Sequence, residues 1–319
     1  MRKYNSAFFI MLTVIFLQCS IKDNNNIFYP ELLALKEHKI IYSIGIYRGI
    51  SPFQFEDLPE IKNPVLTAKD ITDVTAAFIA DPFIVNEKEN WYMFFEVMNA
   101  FTHTTSIGLA VSKNGLKWTY DRIVLKTNFI ISYPYVFKYD GNYYMIPESL
   151  AAQAVKLYKA ADFPYKWEFV KDLICGQLTD ASIFYFDNNW WIFAEGNPHN
   201  NSILRLFYAD NLFGNWTEHP KSPIINGNSN IARPGGRVTY YDDKIIRYTQ
   251  DDHPEYGIMV RAFIINELTL TTYSEEEYGV ILAPSGNGWN ANGMHHIDPH
   301  QINEKLWIAC VDGWQRVSN

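Results

Sequence analysis

Cysteine is scarce in this chain: three residues in 319, at positions 19, 175 and 310. That excludes a disulfide-stapled scaffold, so the core must hold by packing. Positive charge is short as well. Lys and Arg number 27 against 35 Asp and Glu, a formal net charge of −8, and no basic patch stands out. Nucleic acid is therefore not an expected partner. There is no low-complexity tract, no long amphipathic helix and no sign of a second domain. An apolar run, Ala7 to Leu17, follows Arg2-Lys3, and it is too short to cross a bilayer as a stable helix.

That run reads as an export signal. Leu17-Gln18-Cys19 is similar to a bacterial lipoprotein cleavage site, with Cys19 as the lipidated first residue of the mature chain. The other reading is an ordinary secretory signal with a chance cysteine. The expected organisation is a signal over residues 1–19, a polar tether over 20–39 and one domain over 40–319. The expected setting is an exported monomer, lipid-anchored to the outer membrane and facing the periplasm or the cell surface. Cys175 and Cys310 have two readings: a disulfide between them, or Cys310 in LWIAC as a free core thiol.

Aromatic residues are abundant, with 21 Tyr, 21 Phe and 9 Trp, and 48% of residues are hydrophobic. This suits sheet packing, and also sugar binding. The stretch Ala80 to Glu96, ADPFIVNEKENWYMFFE, reads as two apolar strands around a polar turn. An acid stands at each end, Asp81 and Glu96, and an antiparallel hairpin brings both to one edge. The pattern recurs from Ser132 to Ser149, from Thr179 to Gly196, more weakly from Ala232 to Asp251, and from His296 to Gly313. The first three copies also share a later tryptophan: Trp118, Trp167 and Trp216. A period of about 50 residues is that of four-stranded propeller blades. The expected fold is all-β, a five-bladed β-propeller. The early strand IIYSIGIYR, Ile40 to Arg48, would complete the last blade. Blade four is expected to carry outer strands over Gly257 to Ile265 and Leu268 to Tyr273.

In such a ring the starts of the inner strands and the ends of their neighbours share one mouth. The starts supply Asp81, Tyr133, Asp180, Arg233 and the cluster His295, His296 and Asp298. The ends supply Glu96, Glu148, Glu195, Gln250-Asp251 and Asp312. Carboxylates in apolar surroundings titrate high, and a pair with separated pKa values is what glycosidic cleavage needs. Acids at strand ends also cap turns, so each has a structural reading. Arg233 and Arg237 would hold an anionic group or neutralise the acidic rim. His295 and His296 with Asp298 would bond sugar hydroxyls or help hold a metal ion on the axis, and His253 would join them in binding substrate. Tyr133, Trp289, His253 and Tyr256 would form a stacking surface. No cofactor is implied; a structural calcium on the axis is the one metal considered, since the histidine spacing matches no zinc motif.

The runs IGIYRGISPF, NPVLTAKDITDVTAAFIADPF, IPES, LTDAS, FAEG, ARPGGR and DPHQI resemble the N-terminal domain of plant glucosamine inositolphosphorylceramide transferase, over about residues 40–315. The resemblance implies a propeller akin to arabinanases, β-xylosidases, invertases and levansucrases. The transferase's glycosyltransferase domain has no counterpart in these residues, so transfer is not carried over. By the same resemblance Asp81 is the base or nucleophile and Asp180 a second acid that tunes the proton donor. The donor Glu of that group opens blade four, where this chain has Ala232-Arg233-Pro234. Glu195 is the preferred substitute and Glu148 the other. The expected activity is a glycoside hydrolase acting on an oligo- or polysaccharide. The rivals are a non-catalytic glycan-binding propeller and a phosphorylase that holds phosphate with Arg233 and the histidines.

Overall fold

The computed structural model describes residues 39–317. The expected signal, the Cys19 lipidation site and most of the tether lie outside them. In chain order the strands are β1 (Lys39–Ser51), β2 (Gln54–Glu56), β3 (Ala76–Glu87), β4 (Asn90–Asn99), β5 (Thr105–Ser112), β6 (Thr119–Lys126), β7 (Ser132–Tyr139) and β8 (Asn142–Glu148). Then follow β9 (Ala154–Asp162), β10 (Lys166–Cys175), β11 (Thr179–Phe186), β12 (Asn189–Glu195), β13 (Ile203–Ala209), β14 (Thr217–Glu218) and β15 (Ile225–Asn226). The last are β16 (Thr239–Tyr241), β17 (Lys244–Asp251), β18 (Met259–Leu268), β19 (Tyr273–Leu282), β20 (Ile297–Asn303) and β21 (Leu306–Val317). They make five antiparallel sheets in a ring, a five-bladed β-propeller: β3–β6, β7–β10, β11–β15, β16–β19, and a fifth sheet ordered β20, β21, β1, β2.

Ring closure follows from the sequence. The fifth repeat runs out after two strands, and β1 supplies the third. It pairs with β21 from Lys39 opposite Val317 to Gly49 opposite Trp307, and Ile44 and Ile46 are fully buried. Burying such a side chain contributes roughly 1.5–3 kcal/mol. The repeated tryptophans have a shared job in blades one and two. The indole N–H of Trp118 donates to Gly115 O at 3.0 Å, and that of Trp167 to Pro164 O at 3.0 Å. Trp216 makes no such bond, and blade three's outer strands shrink to β14 and β15.

The inner strands share a device that aims the site. Asp81, Tyr133 and Asp180 all have positive φ, 53°, 43° and 48°. At each the ladder skips residues, between Ala80 and Phe83, Ser132 and Tyr135, and Thr179 and Ser182. A bulge of this kind turns a side chain toward the axis, and a left-handed non-glycine residue costs on the order of 1–2 kcal/mol. Blade four is built differently. At Gly236, φ is 147° and an added Cβ would lie 1.7 Å from Ile297 O, so only glycine lets this strand pass against blade five.

One expectation changes, and one of the two cysteine readings holds. The segment Leu268 to Tyr273 is not an outer strand: residues 269–272 turn, and the strand is β19. Thr269 Oγ1 accepts the N–H groups of Thr271 and Thr272, which favours the turn over extended backbone. Cys175 ends β10. Cys310 is a free, buried thiol, so the pairing with Cys175 does not form; its Sγ donates to Pro82 O at 2.8 Å.

Candidate carbohydrate site at the propeller mouth

The hairpin of β3 and β4 rises above the mouth of the ring and walls a small pocket. Tyr42, Phe78, Ala80, Met98 and Ile130 form its apolar side; Asp81, Glu96, Ser132, Arg233, Tyr256 and His295 form its polar side. Its enclosed volume is about 30 Å³, far below the roughly 300–1,000 Å³ of a site that swallows a small molecule. A space of this size admits one edge of a molecule and not the whole of it.

Asp81 is the best-placed acid. Its backbone N–H donates to Asp312 Oδ2 at 2.9 Å, and its Oδ2 accepts the Tyr133 N–H at 3.3 Å. Its Oδ1 is buried and accepts no hydrogen bond; His295 Nε2 stands 3.4 Å away and His296 Nδ1 4.0 Å. Burial pushes the carboxyl up to about 7; His295 opposes this, and the nearby Asp180 and Asp312 add to it. Glu96 enters the same pocket from β4, opposite Ala80 in the ladder.

The other expected residues divide. Asp180 and Arg233 lie side by side, with Arg233 Nε donating to Asp180 Oδ2 at 2.6 Å. Arg233 also donates from Nη1 to Asn201 Oδ1 at 3.2 Å, and its Nη2 stands 3.5 Å from Glu148 Oε2. Arg233 thus neutralises the acidic rim, one of its two expected roles. Asp180 Oδ2 takes a further bond from Gln250 Nε2 at 2.6 Å. Glu195 is fully buried and outside the pocket lining: Oε1 accepts the N–H groups of Asn197 (2.6 Å) and Ile203 (3.3 Å), and Oε2 accepts the Thr179 hydroxyl (3.3 Å). Burial lifts it to about 7 against these bonds. It holds the end of β12, which is not the position of a proton donor at this pocket.

Tyr133 is buried rather than presented for stacking. Its hydroxyl donates to Gly236 O at 3.1 Å and lies 2.8 Å from Ser182 Oγ. Arg237 and Asp298 do not reach the pocket either. They pair at 2.5 Å deeper along the axis, where Asp298 also accepts the Ile84 N–H (2.6 Å) and His300 Nε2 (2.9 Å). Burial alone would raise Asp298; Arg237 and His300 outweigh it and hold the carboxyl well below the usual range. His296 is neutral, lowered to about 4 by burial, and its Nε2 faces Pro82 O at 3.0 Å. His253 is exposed on the β17–β18 loop, and Trp289 packs in the core. Of the expected stacking set, Tyr256 alone lines the pocket.

His295, expected with His296 and Asp298 to meet sugar hydroxyls or a metal ion, instead pairs with Asp312, a rim residue to which the sequence attached no role. His295 Nδ1 is 2.8 Å from Asp312 Oδ1. Burial acts against its proton, but Asp312 and Asp81 outweigh that and raise it to about 9. With Asp81 these two gather donor atoms within 4.8 Å. Calcium takes six to eight oxygens, and this set offers two carboxylates and an imidazole already turned toward one of them, a poor match to the axial calcium considered above.

Comparison with known proteins gives a consistent placement. The family model described as glucosamine inositolphosphorylceramide transferase 1, N-terminal, matches residues 36–314. The curated protein of that name from Oryza sativa subsp. japonica is 33% identical over 295 residues, covering 85% of this chain and 40% of its own length. The Arabidopsis thaliana protein is 33% identical over 297 residues, with 85% and 39% covered. The chain thus spans about 40% of the length of these relatives. Among solved structures, a beta-1,2-mannobiose phosphorylase from Listeria innocua superposes with a TM-score of 0.61 at 14% identity, covering 84% of this chain and 96% of that one. The catalytic domain of an alpha-L-arabinofuranosidase from Coprinopsis cinerea gives 0.56 at 12%, covering 84% and 97%. At such identities these two likenesses concern the fold alone. The family matches and the five-bladed ring agree, and the chain belongs to the family of the glucosamine inositolphosphorylceramide transferase 1 N-terminal domain.

Proposed function

We propose that the mouth pocket is a carbohydrate-active centre that cleaves a glycosidic bond, with Asp81 as its working carboxyl. The observation that carries this reading is Asp81 itself: a strained, left-handed residue whose Oδ1 accepts no hydrogen bond, in a pocket, with its pKa held near 7. A carboxyl poised near neutrality both gives and takes a proton, as general acid–base catalysis needs. Glu96 is the second carboxyl of the pocket and the partner across the scissile bond. Tyr42 and Tyr256 line the pocket beside the two carboxyls. Relatives and fold neighbours named for sugar chemistry support a carbohydrate ligand, and glucosamine-bearing glycans come first among those to try.

A second reading is a glycan-binding propeller without turnover. It is favoured by blade four, where Arg233 stands in place of a carboxylate, and by the small enclosed volume. Incubation of residues 20–319 with a glycan panel separates the two. Released sugar from the wild type and none from Asp81→Asn or Glu96→Gln supports cleavage. Retention of a glycan without product supports binding alone. Phosphate-dependent product would restore the phosphorylase.

A further inference from the structure

Behind Asp81 lies a line of buried titratable groups that the proposed reaction does not itself use. Asp312 on β21 is fully buried. Its Oδ1 faces His295 Nδ1 at 2.8 Å and accepts the His295 backbone N–H at 3.3 Å. Its Oδ2 accepts the backbone N–H of Asp81 at 2.9 Å. One carboxylate therefore stands as the ion-pair partner of the imidazole, out of hydrogen-bond alignment with Nδ1, and holds the peptide that carries Asp81. The other ring nitrogen, Nε2, stands 3.4 Å from Asp81 Oδ1, an ion-pair contact rather than a hydrogen bond. The ring is clamped: Tyr42 lies 5.2 Å and Tyr256 5.5 Å from it, centroid to centroid. Gly257, at φ 64°, leaves no room beside it, since a Cβ there would come 2.8 Å from His295 Cβ.

We propose that His295 and Asp312 are positioning residues for Asp81: Asp312 orients the imidazole, and the imidazolium stands at ion-pair distance from Asp81 Oδ1 and sets the pH at which Asp81 gives up its own proton. No bond to carbon involves His295. It stays imidazolium, and the proton that moves to or from substrate belongs to Asp81. The arrangement rests on Asp81 being the working carboxyl, but its electrostatic half is measurable without turnover.

Charged groups converge on Asp81 from every blade. Glu96 comes from blade one, Glu148 from blade two, Asp180 from blade three, and Arg233 and Asp252 from blade four. His295, His296 and Asp312 come from blade five. Of these only Arg233 and His295 are cations, His296 being neutral. Arg233 spends its nitrogens on Asp180, Asn201 and Glu148. His295 is therefore the cation aimed at Asp81. An opposite charge at this range moves a carboxyl by about 1–3 pH units.

The test is an NMR titration of the full folded domain, with Asp carboxyl carbons and His ring nitrogens labelled, from about pH 5 to 10. Asp81→Asn assigns the Asp81 signal. In the wild type His295 is expected to lose its proton at higher pH than Asp81 does. The reverse order overturns the proposal, and this arm needs no variant to fold. In His295→Gln the Asp81 midpoint is expected to rise by about one unit or more; an unmoved midpoint makes His295 structural only and overturns the proposal. In Asp312→Asn the His295 midpoint is expected to fall toward or below its ordinary 6.5. With a cleaved glycan in hand, the Asp81-dependent limb of the kcat/KM profile moves alkaline in His295→Gln by the same amount. If no glycan is cleaved while the NMR shifts hold, the hydrolase reading falls and the positioning pair stands. A cleaved glycan with an unshifted limb defeats the pair and leaves the hydrolase.

Discussion

Replacing Arg233 with methionine separates a structural cation from a ligand clamp. Arg233 is buried, and it lies against two buried acids, Asp180 at 2.6 Å and Glu148 at 3.5 Å. Methionine fills the space of the stem and removes the charge. Asp180 Oδ2 then keeps only Gln250, and two carboxylates face each other without a counter-charge. Removing one partner of a buried pair costs about 3–5 kcal/mol. For a domain of this size that is a fall in Tm of roughly 6–20 °C. Adding Asp180→Asn removes the stranded charge while the amide still meets Gln250. The double variant is expected to recover at least about 1 kcal/mol of the loss, read as a coupling energy in a double-mutant cycle. Urea and thermal unfolding of wild type, both singles and the double give the four corners. A single variant within about 1 kcal/mol of wild type, with no coupling, refutes the reasoning and returns Arg233 to the ligand.

Glu195→Gln tests the acid moved out of the site. Burial raises Glu195 from 4.5 to about 7, so the folded state keeps a proton that the unfolded chain drops. Its cost to stability is absent below pH 4.5, grows as pH rises and is complete above 7, where it reaches on the order of 3 kcal/mol. The glutamine variant should therefore gain stability over wild type at pH 8 and not at pH 4, with activity kept; lost activity at unchanged fold would return the proton donor to Glu195. Gly236→Ala should abolish soluble folded protein, because the Cβ meets Ile297 O at 1.7 Å; wild-type melting by circular dichroism would show that blade four runs elsewhere. Cys310 should resist thiol reagents in the native protein, since it is buried and its pKa is pushed well up by that burial. Labelling in the native state as fast as in urea would contradict its place on β21.

Much of the ring was legible because each repeat states itself locally. Alternating aromatic strands, an Asp- or Asn-rich turn and an opening residue at a fixed period need no distant information. The partner of β1 was legible by elimination, since one strand lacked a blade and one blade lacked a strand. The outer edge of blade four was not. Thr269, Thr271 and Thr272 are good strand formers locally, but their hydroxyls favour a turn, while the charged run at Glu275–Glu277 hid a real strand. Its acids are answered from β17 and β18: Arg247 pairs with Glu275 at 2.5 Å and Arg261 with Glu277 at 2.7 Å. In the site, the recurrence of acids at one mouth was legible, but their orientation was not. His295 and His296 lie just before β20, and the first meets the pocket while the second turns to Pro82 O. Asp298 on β20 and Arg237, just before β16, lie a step farther along the chain and find each other on the axis. Whether an acid such as Glu195 reaches the pocket or caps its own strand is decided by backbone groups several residues away, Asn197 and Ile203.

The most direct measurement is released sugar from a glycan panel treated with wild-type protein and with Asp81→Asn, both verified as folded. The account expects product from the wild type, at least a hundredfold less from the variant on the scale of a lost general acid or base, and unchanged melting beyond a few degrees. Equal product from both proteins would contradict it, because the working carboxyl would then lie elsewhere.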